Sequence, residues 1–262
     1  TLGSVAERRP PARGSGRVAA RVDLGGRERG RGIVQQLTAR LGTTPQAKTS
    51  LVGALLGRLG DRDLARAASQ ALDRGARVLK IKHSGTLDAE ALEGLDRVLE
   101  LARGRAADVR VDYGRSLEPG EVARELGILV ARGVSRVEEP SRGAPAGPCP
   151  AELSGRVLLD ESLLGDPEEA LRMWGDWASG LVLKPTVLGP ERTLGLAEVA
   201  RERGLSLTVT HCFEGPVGLA HVRALALALG ADVAGVDDHA ALAAFPRCAV
   251  PGLGQREGAL VL

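Results

Sequence analysis

The chain has 262 residues, of which 44% are hydrophobic and 26% charged, and its formal net charge is +2. This composition is typical of a soluble globular protein, and no apolar run reaches the roughly 18 residues that a membrane-spanning helix needs. Because the three cysteines lie far apart and lack CxxC spacing, we expect a cytoplasmic location with neither a disulfide framework nor a zinc site.

Residues 1–50 differ from the remainder in charge and in pattern. Eight arginines lie between residues 8 and 31, but no aromatic side chain is interleaved with them for base stacking. We therefore predict no nucleic-acid partner for this segment. Val18, Ala20, Val22 and Leu24 alternate before the Gly25-Gly26 pair, which predicts a β-hairpin within residues 16–32.

From residue 51 onward, apolar β-like runs alternate with helical patterns. From the second run onward, their ends recur every 22 to 30 residues, about the length of one strand plus one crossover helix. The predicted strands are 51–56, 77–82, 109–112, 134–138, 156–160, 181–184, 206–211 and 233–237. This predicts an α/β fold, a (β/α)8-type TIM-like barrel over residues 51–240 followed by a tail at 241–262. A doubly wound open sheet is disfavoured because no Gly-rich phosphate-binding turn follows the first strand.

Helices are predicted between several of these strands. Apolar residues recur at 3.6-residue spacing over 63–76 and over 88–102. The Asp166-Pro167 pair is a helix-start signal, and Gly204 is a stop signal for the helix before it.

Ionisable residues end five consecutive predicted strands. In chain order they are Lys82, Asp112, Glu138, Asp160 and Lys184. Because the carboxyl ends of barrel strands form one rim, the three carboxylates are expected to converge there. Carboxylates that close repel one another unless a cation lies between them, so we predict a hard divalent ion, Mg²⁺ with Mn²⁺ as the alternative.

The lysines are the second notable group. The chain has four lysines among its 35 Lys and Arg residues, and three of them, Lys80, Lys82 and Lys184, lie at this rim. Unlike arginine, lysine can serve as a general base. Lys80 and Lys82 are two residues apart on one strand and point the same way, into the barrel. The pattern suits proton removal next to the carboxylate of a small-molecule substrate. The simpler alternative is that these charges are helix caps or solvated loop residues.

The set of motifs Lys80-Ile81-Lys82, Asp112, 137–140 (VEEP), 160–162 (DES) and 183–185 (LKP) resembles the ordered active-site motifs of the enolase superfamily, in its muconate-lactonizing branch. Within that branch, LKPTVLG at 183–189 and THCFEGPVGLAHV at 210–222 are most similar to the o-succinylbenzoate synthases. The resemblance implies a (β/α)7β barrel with an N-terminal α+β capping domain. Residues 1–50 would be a reduced form of that cap, and the 241–262 tail would pack back toward it.

The resemblance also implies roles. Asp112, Glu138 and Asp160 would bind Mg²⁺, Lys82 would be the base, and Lys184 would stabilise the enediolate. Substrate binding would fall to Lys80, His211 and Glu214. The implied reaction is a dehydration that yields 2-succinylbenzoate for menaquinone biosynthesis. The sequence departs from the family at Asp112-Tyr113-Gly114, where Asp-x-Asn is usual, and at His211-Cys212, where serines are usual.

Two alternatives stay open. A racemase, epimerase or cycloisomerase of the same superfamily would use the same lysines, with His211 as a second acid or base in the racemase case. A catalytically retired barrel that binds a ligand is the alternative from another class. Asp237 and Asp238 are expected to cap a helix near His239, although some epimerases of the superfamily bind an amine with acids at this strand end. The sequence leaves the oligomeric state open.

Overall fold

Eight parallel strands form a closed barrel in the computed structural model, which describes residues 33–41, 49–237, 254–256 and 259–261. The ring closes because the first strand pairs with both the second and the eighth. The strands are β1 Thr49–Arg58, β2 Val78–Lys82, β3 Asp108–Asp112, β4 Arg136–Glu138, β5 Val157–Leu159, β6 Ala178–Leu183, β7 Ser206–Thr210 and β8 Val233–Gly235. All eight predicted strands are present in the predicted order, so the barrel prediction is confirmed.

The core lies between the barrel wall and the surrounding helices. Leu79 and Ile81 of β2 and Val111 of β3 are fully buried, and they alternate with the inward-facing charged residues on the same strands. This alternation is what a strand with one face toward the helices and one toward the barrel axis requires.

Helices follow most of the strands and cover the outside of the barrel. They are α1 Ile33–Leu41, α2 Leu64–Asp73, α3 Ala89–Arg103, α4 Val122–Arg132, α5 Pro167–Trp174, α6 Pro185–Leu188, α7 Pro190–Glu202 and α8 Pro216–Leu229. The predicted start of α5 is confirmed, because the Asp166 side chain accepts hydrogen bonds from the N–H groups of Glu168 and Glu169 at 2.9 and 3.2 Å. Gly204 follows α7 with a left-handed φ of 65°.

The connection between β4 and β5 departs from the repeating pattern. Residues 139–156, all of which the structure describes, hold a short 3-10 helix, Ala151–Leu153, and no α-helix. Prolines at four positions prevent a helical turn from extending through this connection, since each lacks an N–H donor. They are Pro140, Pro145, Pro148 and Pro150.

Helix α1 has no counterpart among the predicted elements. It lies against α8, with Val34 and Thr38 buried. The predicted hairpin at 16–32 and the predicted helix near His239 fall outside the described residues.

Near the C-terminus, β9 Gly254–Arg256 and β10 Ala259–Val261 form an antiparallel pair that extends the sheet from the first residues of β1. The 241–262 tail thus contributes strands that pair with the start of the barrel. Within the described parts of the chain, every helix is too short or too polar to cross a lipid bilayer.

Candidate active site

The parallel register sets the predicted rim residues side by side. Lys82 pairs with Asp112 in backbone register, and Asp112 pairs with Glu138. Asp160 directly follows β5, and Lys184 directly follows β6. Because β2 and β6 are four strands apart in a ring of eight, Lys82 and Lys184 stand on opposite sides of the barrel mouth.

Lys80 lies between two of the carboxylates. Its Nζ is 3.1 Å from Oδ2 of Asp112 and 3.0 Å from Oε2 of Glu138. Burial alone would lower the pKa of Lys80, but these carboxylates outweigh it and hold the pKa above its ordinary value. Lys80 is therefore a permanent positive charge beneath the rim.

Asp112 is buried and receives contacts from three directions. Burial would raise its pKa, but Lys80 and then Lys82 reverse the effect and keep the pKa below its ordinary value. Lys82 Nζ lies 3.5 Å from Oδ2 of Asp112. The Gly114 N–H donates to Oδ1 at 3.1 Å, from a left-handed backbone with φ 53°. At the position where asparagine is usual in the resembled family, a main-chain amide thus supplies a hydrogen bond to Asp112.

Lys184 and Asp160 form another ion pair between the adjacent ends of β5 and β6. Lys184 Nζ donates to Oδ2 of Asp160 and lies 3.7 Å from Oε1 of Glu161. Burial raises the pKa of Asp160 to about 7, and the opposing charge of Lys184 only partly offsets that rise. Burial would lower the pKa of Lys184, but Asp160 outweighs it and raises the pKa.

A cavity of about 350 Å³ opens at this rim and extends into the barrel. Its charged lining comes mainly from β2 to β6 and the residues that follow them: Lys80, Lys82, Arg110, Glu138, Asp160, Glu161 and Lys184. On the side formed by β7, β8 and β1, the described lining holds no Lys, Arg, Asp or Glu side chain. It combines small and apolar residues such as Val233, Gly235 and Gly53 with the polar residues Thr208, Thr210 and His211. Exposed apolar side chains, Leu55, Leu164, Val187 and Phe213, also line the cavity. The cavity thus has one ionic side and one side of small, apolar and hydroxyl or imidazole residues.

The predicted substrate-binding residues of the β7 end differ in placement. His211 lines the cavity, and its Nδ1 accepts a hydrogen bond from the Phe213 N–H at 3.0 Å. Nδ1 is therefore unprotonated in this arrangement, which puts the proton of a neutral ring on Nε2. The Glu214 carboxylate accepts from the Cys212 N–H at 2.6 Å and from the Thr186 hydroxyl. Glu214 thus links the β7 and β6 loops, and among the described residues it is not part of the cavity lining.

The end of β8 presents a glycine to the cavity. Gly235 lines it, whereas Oδ2 of Asp237 forms an ion pair with Nη2 of Arg74 at 2.9 Å. Asp238 lies outside the described residues. Within the described chain, no acidic side chain of β8 faces the cavity.

The sequence-based prediction assigns no role to two buried charged residues near the rim. Arg110 lines the cavity below Asp112, and its Nη1 donates to Thr208 Oγ1 at 2.9 Å and lies 4.0 Å from Oε1 of Glu138. Burial lowers its pKa from the ordinary arginine value. Arg110 lies two residues before Asp112 on β3, just as Lys80 lies two residues before Lys82 on β2. Strand alternation therefore could have predicted from the sequence that Arg110 points into the barrel. The second residue is Glu139, which directly follows Glu138.

The three carboxylates suit a hard divalent ion in their donor chemistry. They are buried oxygen donors on adjacent strands, the kind of ligand that Mg²⁺ prefers. Across the described residues, no group of three or more His, Cys, Asp or Glu side chains is arranged so that it could hold a metal ion. The ammonium groups of Lys80 and Lys184 instead neutralise the carboxylates. The three carboxylates therefore fit a cation in donor type and in strand position, while their oxygens are paired with lysines in this structure.

Solved structures that are similar to this barrel include members of the enolase superfamily. A dipeptide epimerase from Methylococcus capsulatus, complexed with Mg, shares 25% identity at a TM-score of 0.72, over 92% of this chain and 69% of that one. A muconate lactonizing enzyme from Pseudomonas fluorescens, complexed with muconolactone, shares 24% identity at a TM-score of 0.67, over 87% of this chain and 62% of that one.

Another solved structure, an L-Ala-D/L-Glu epimerase, shares 22% identity at a TM-score of 0.63, over 92% of this chain and 71% of that one. No protein-family model matches the chain, and no curated protein is similar to it in sequence. These three similar structures are thus two epimerases and one lactonizing enzyme.

Proposed function

We propose that this protein is a Mg²⁺-dependent enzyme of the enolase superfamily that removes a proton from the carbon next to a substrate carboxylate. The observation that carries the proposal is the placement of Lys82 and Lys184 on opposite sides of one cavity, with Glu138 and Asp160 between them on the ionic side. A carbon held in that cavity presents one face to each lysine.

Charge balance favours an anionic substrate. Lys80, Lys82 and Lys184 offset the three rim carboxylates, so the cluster is close to neutral without a metal. A divalent ion would add two positive charges, which a substrate carboxylate partly compensates. Asp112, Glu138 and Asp160 would hold the ion, with Mn²⁺ as the alternative, and the ion would offset the negative charge that develops on the substrate carboxylate.

The residues of this chain divide the remaining work. Lys82, 45% exposed at the cavity mouth, removes the proton as the general base. Lys80 stays charged under the carboxylates and holds Asp112 and Glu138 in place. Lys184 contributes a positive charge on the opposite face, and His211 lines the cavity, where it can contact the substrate. Glu214 supports the β7 loop through Cys212 and Thr186.

The first candidate reaction is dehydration of the o-succinylbenzoate synthase type. Lys82 takes the ring proton of 2-succinyl-6-hydroxy-2,4-cyclohexadiene-1-carboxylate and then donates it to the departing hydroxyl on the same face, releasing water and the aromatic 2-succinylbenzoate. The β7-β8-β1 side has small and apolar residues that suit the ring, and among the described residues of β8 it is Gly235, not an acid that could bind a substrate amine, that lines the cavity.

The second candidate is epimerisation of a dipeptide. Its support is the similarity to solved dipeptide epimerases together with the two-sided lysine arrangement. In that reaction one lysine removes the proton from one face and the other returns a proton to the opposite face. The two candidate reactions therefore give Lys184 different roles: a stabilising positive charge in dehydration, and an acid or base in epimerisation.

Two assays on the purified full chain with Mg²⁺ separate the candidates. Loss of the diene absorbance of the cyclohexadiene substrate reports dehydration, and proton NMR of L,L-dipeptides in D₂O reports α-proton exchange and epimerisation. If the protein is a dehydratase, we expect turnover in the first assay, and EDTA should abolish it. If the protein is a dipeptide epimerase, we expect exchange of the α-proton in the second assay.

Lysine variants complete the test. Lys82→Ala is expected to lower kcat by about 10² to 10⁴, the usual contribution of a general base. Lys82→Arg is the matched control, since it keeps the positive charge next to Asp112 but cannot accept a proton. An active Lys82→Arg variant would contradict the role of Lys82. Failure of both assays together with absence of Mg²⁺ binding by calorimetry would favour the retired barrel.

A further inference from the structure

Glu139 has a buried carboxylate that the proposed reaction leaves without a role. Glu138, one residue earlier, lines the barrel cavity, whereas Glu139 is fully buried outside it. A buried carboxylate is costly unless hydrogen bonds and an opposite charge compensate it. Its partners therefore indicate what it does.

The Glu139 carboxylate accepts four hydrogen bonds. Oε2 accepts from the main-chain N–H of Asp160 at 2.7 Å. Oε1 accepts from the Ser162 N–H at 3.0 Å, from the Ser162 hydroxyl, and from Arg115 Nε at 2.9 Å. Both oxygens are thus used, and three of the four donors belong to the segment that carries the proposed metal ligand Asp160.

Arg115 closes the network from the other neighbouring strand. Its Nη2 donates to Ser162 Oγ at 3.1 Å, and its main-chain N–H donates to the Glu139 carbonyl at 2.7 Å. The network therefore ties the loop after β3, which follows Asp112, to the residues after β4 and β5. These three strand ends carry the three carboxylates proposed to bind the cation.

The backbone at both partners is unusual. Glu139 and Arg115 have φ values of 40° and 69°, in the left-handed region that non-glycine residues rarely adopt. Such conformations persist where surrounding contacts fix them, and they cluster at functional sites. The hydrogen bonds of the Glu139 carboxylate are contacts of that kind.

We propose that Glu139 is a positioning residue for the metal site, holding the Asp160 main chain and the Ser162 turn so that the Asp160 carboxylate stays directed at the cavity beside Glu138. The inference rests on the proposed function and extends it to a residue that touches neither the cation nor the substrate. Loss of the Glu139 acceptors releases the Asp160 segment and weakens cation binding.

Calorimetric titration of the full chain with Mg²⁺ alone tests this without any substrate. Glu139→Gln replaces one acceptor oxygen by an NH₂ donor that faces donors already in place, so Mg²⁺ affinity is expected to fall about 10- to 100-fold. Ser162→Ala removes one donor but keeps the carboxylate, and its loss of affinity is expected to be smaller. That second variant keeps the test open if Glu139→Gln does not fold.

Glu125→Gln is the matched control. Glu125 is also a buried glutamate, and it accepts from the Leu87 N–H at 3.0 Å and pairs with Arg124 at 2.9 Å. Both Gln variants are expected to lower the unfolding temperature, but Mg²⁺ affinity should fall in Glu139→Gln and stay within about twofold of wild type in Glu125→Gln.

The outcomes are distinguishable. Unchanged Mg²⁺ affinity in both folded variants, Glu139→Gln and Ser162→Ala, overturns the positioning role and leaves the proposed function intact. An equal loss in Glu125→Gln also overturns it, because the effect would then follow general destabilisation. A wild-type chain that binds no Mg²⁺ overturns the proposed function first, and the positioning role with it.

Discussion

The protonation of Asp160 is expected to make both the stability of the protein and its affinity for Mg²⁺ depend on pH. Burial raises the pKa of its carboxyl group to about 7, with Lys184 offsetting part of the rise. Because the folded pKa lies above the ordinary value of 3.8, the folded chain binds the proton more tightly than the unfolded chain does. The metal-free protein therefore loses stability as pH rises from about 4 to 7.

If Asp160 is a Mg²⁺ ligand as proposed, the same proton competes with Mg²⁺ for its carboxylate. Below the pKa, Mg²⁺ affinity is expected to weaken by up to about tenfold per pH unit, and above it to level off. Calorimetry at about pH 6 and pH 8, in buffers of different ionisation enthalpy, measures affinity and released protons together. Equal affinity at both pH values with no proton released would contradict a protonated Asp160 in the metal-free state.

The position of an individual side chain can be predicted from the sequence when strand alternation determines which way that side chain points. The placement of Lys82, Asp112 and Glu138 follows from where the strands end and from which face of each strand is apolar. The position of Glu139 depends on a left-handed backbone just past a strand end, which alternation cannot predict. Its signal in the sequence is an acid beside a predicted ligand, with Pro140 after it, and this pattern is equally typical of an ordinary loop.

Strand β6 depends on a close backbone approach at Gly180. A Cβ at this position would lie 2.6 Å from the Ser206 carbonyl oxygen and 2.8 Å from Cδ2 of Leu158, closer than real side chains approach. Gly180→Ala is therefore expected to lower the free energy of unfolding by roughly 2 kcal/mol, because the neighbouring strands must separate. Urea denaturation followed by circular dichroism measures the change.

Gly195 provides the opposite case. It lies exposed in α7 with open space around its Cα, so Gly195→Ala removes backbone entropy from the unfolded chain without a clash. This substitution is expected to raise stability by about 0.5 to 1 kcal/mol. If Gly180→Ala and Gly195→Ala changed the free energy of unfolding in the same direction, the close packing assigned to Gly180 would be contradicted.

Helix starts offer a second comparison between elements. Asp166 accepts two main-chain hydrogen bonds at the start of α5, whereas Asp63 makes no side-chain cap bond at the start of α2 and pairs with the exposed Arg66. Asp166→Ala is expected to cost about 1 kcal/mol, and Asp63→Ala should change stability little. Thermal unfolding of both variants measures this difference, and a larger loss at Asp63 would contradict it.

Elements were predictable where a local pattern determines them. The barrel strands are apolar runs with charged ends, and the Asp166-Pro167 pair starts a helix in the structure as the sequence predicts. Helix α1 was not predicted, because its helical face becomes apparent only when it packs on α8. The β4–β5 connection has the length expected for a strand-helix unit. Because of its prolines, however, it contains a short 3-10 helix and no α-helix.

For the molecule as a whole, the ring of parallel strands brings together charges that lie about a hundred residues apart in sequence, from Lys80 to Lys184. The ammonium groups that neutralise the carboxylates come from β2 and from the residue after β6, and the carboxylates come from the strand ends between them. The site therefore exists only when the barrel is folded, and a cation bound there stabilises the complete fold.

Mg²⁺ at 100 times its dissociation constant is expected to add about 2.7 kcal/mol to the stability of the chain. For a protein of this size, that corresponds to a rise of roughly 5 to 10 °C in unfolding temperature, measurable by differential scanning calorimetry. Asp112→Asn is expected to reduce the shift, because it removes one anionic ligand while keeping the shape of the side chain.

A small dicarboxylate such as malonate tests the link between cation and substrate. If the cation supplies the positive charge that an anionic substrate meets, malonate should raise the unfolding temperature strongly with Mg²⁺ present and weakly without it. Since coupling between two ligands is reciprocal, malonate should also increase Mg²⁺ affinity by the same factor. An equal malonate effect with and without Mg²⁺ would mean that the three lysines alone bind the carboxylate, and it would remove the charge argument for a metal-assisted reaction.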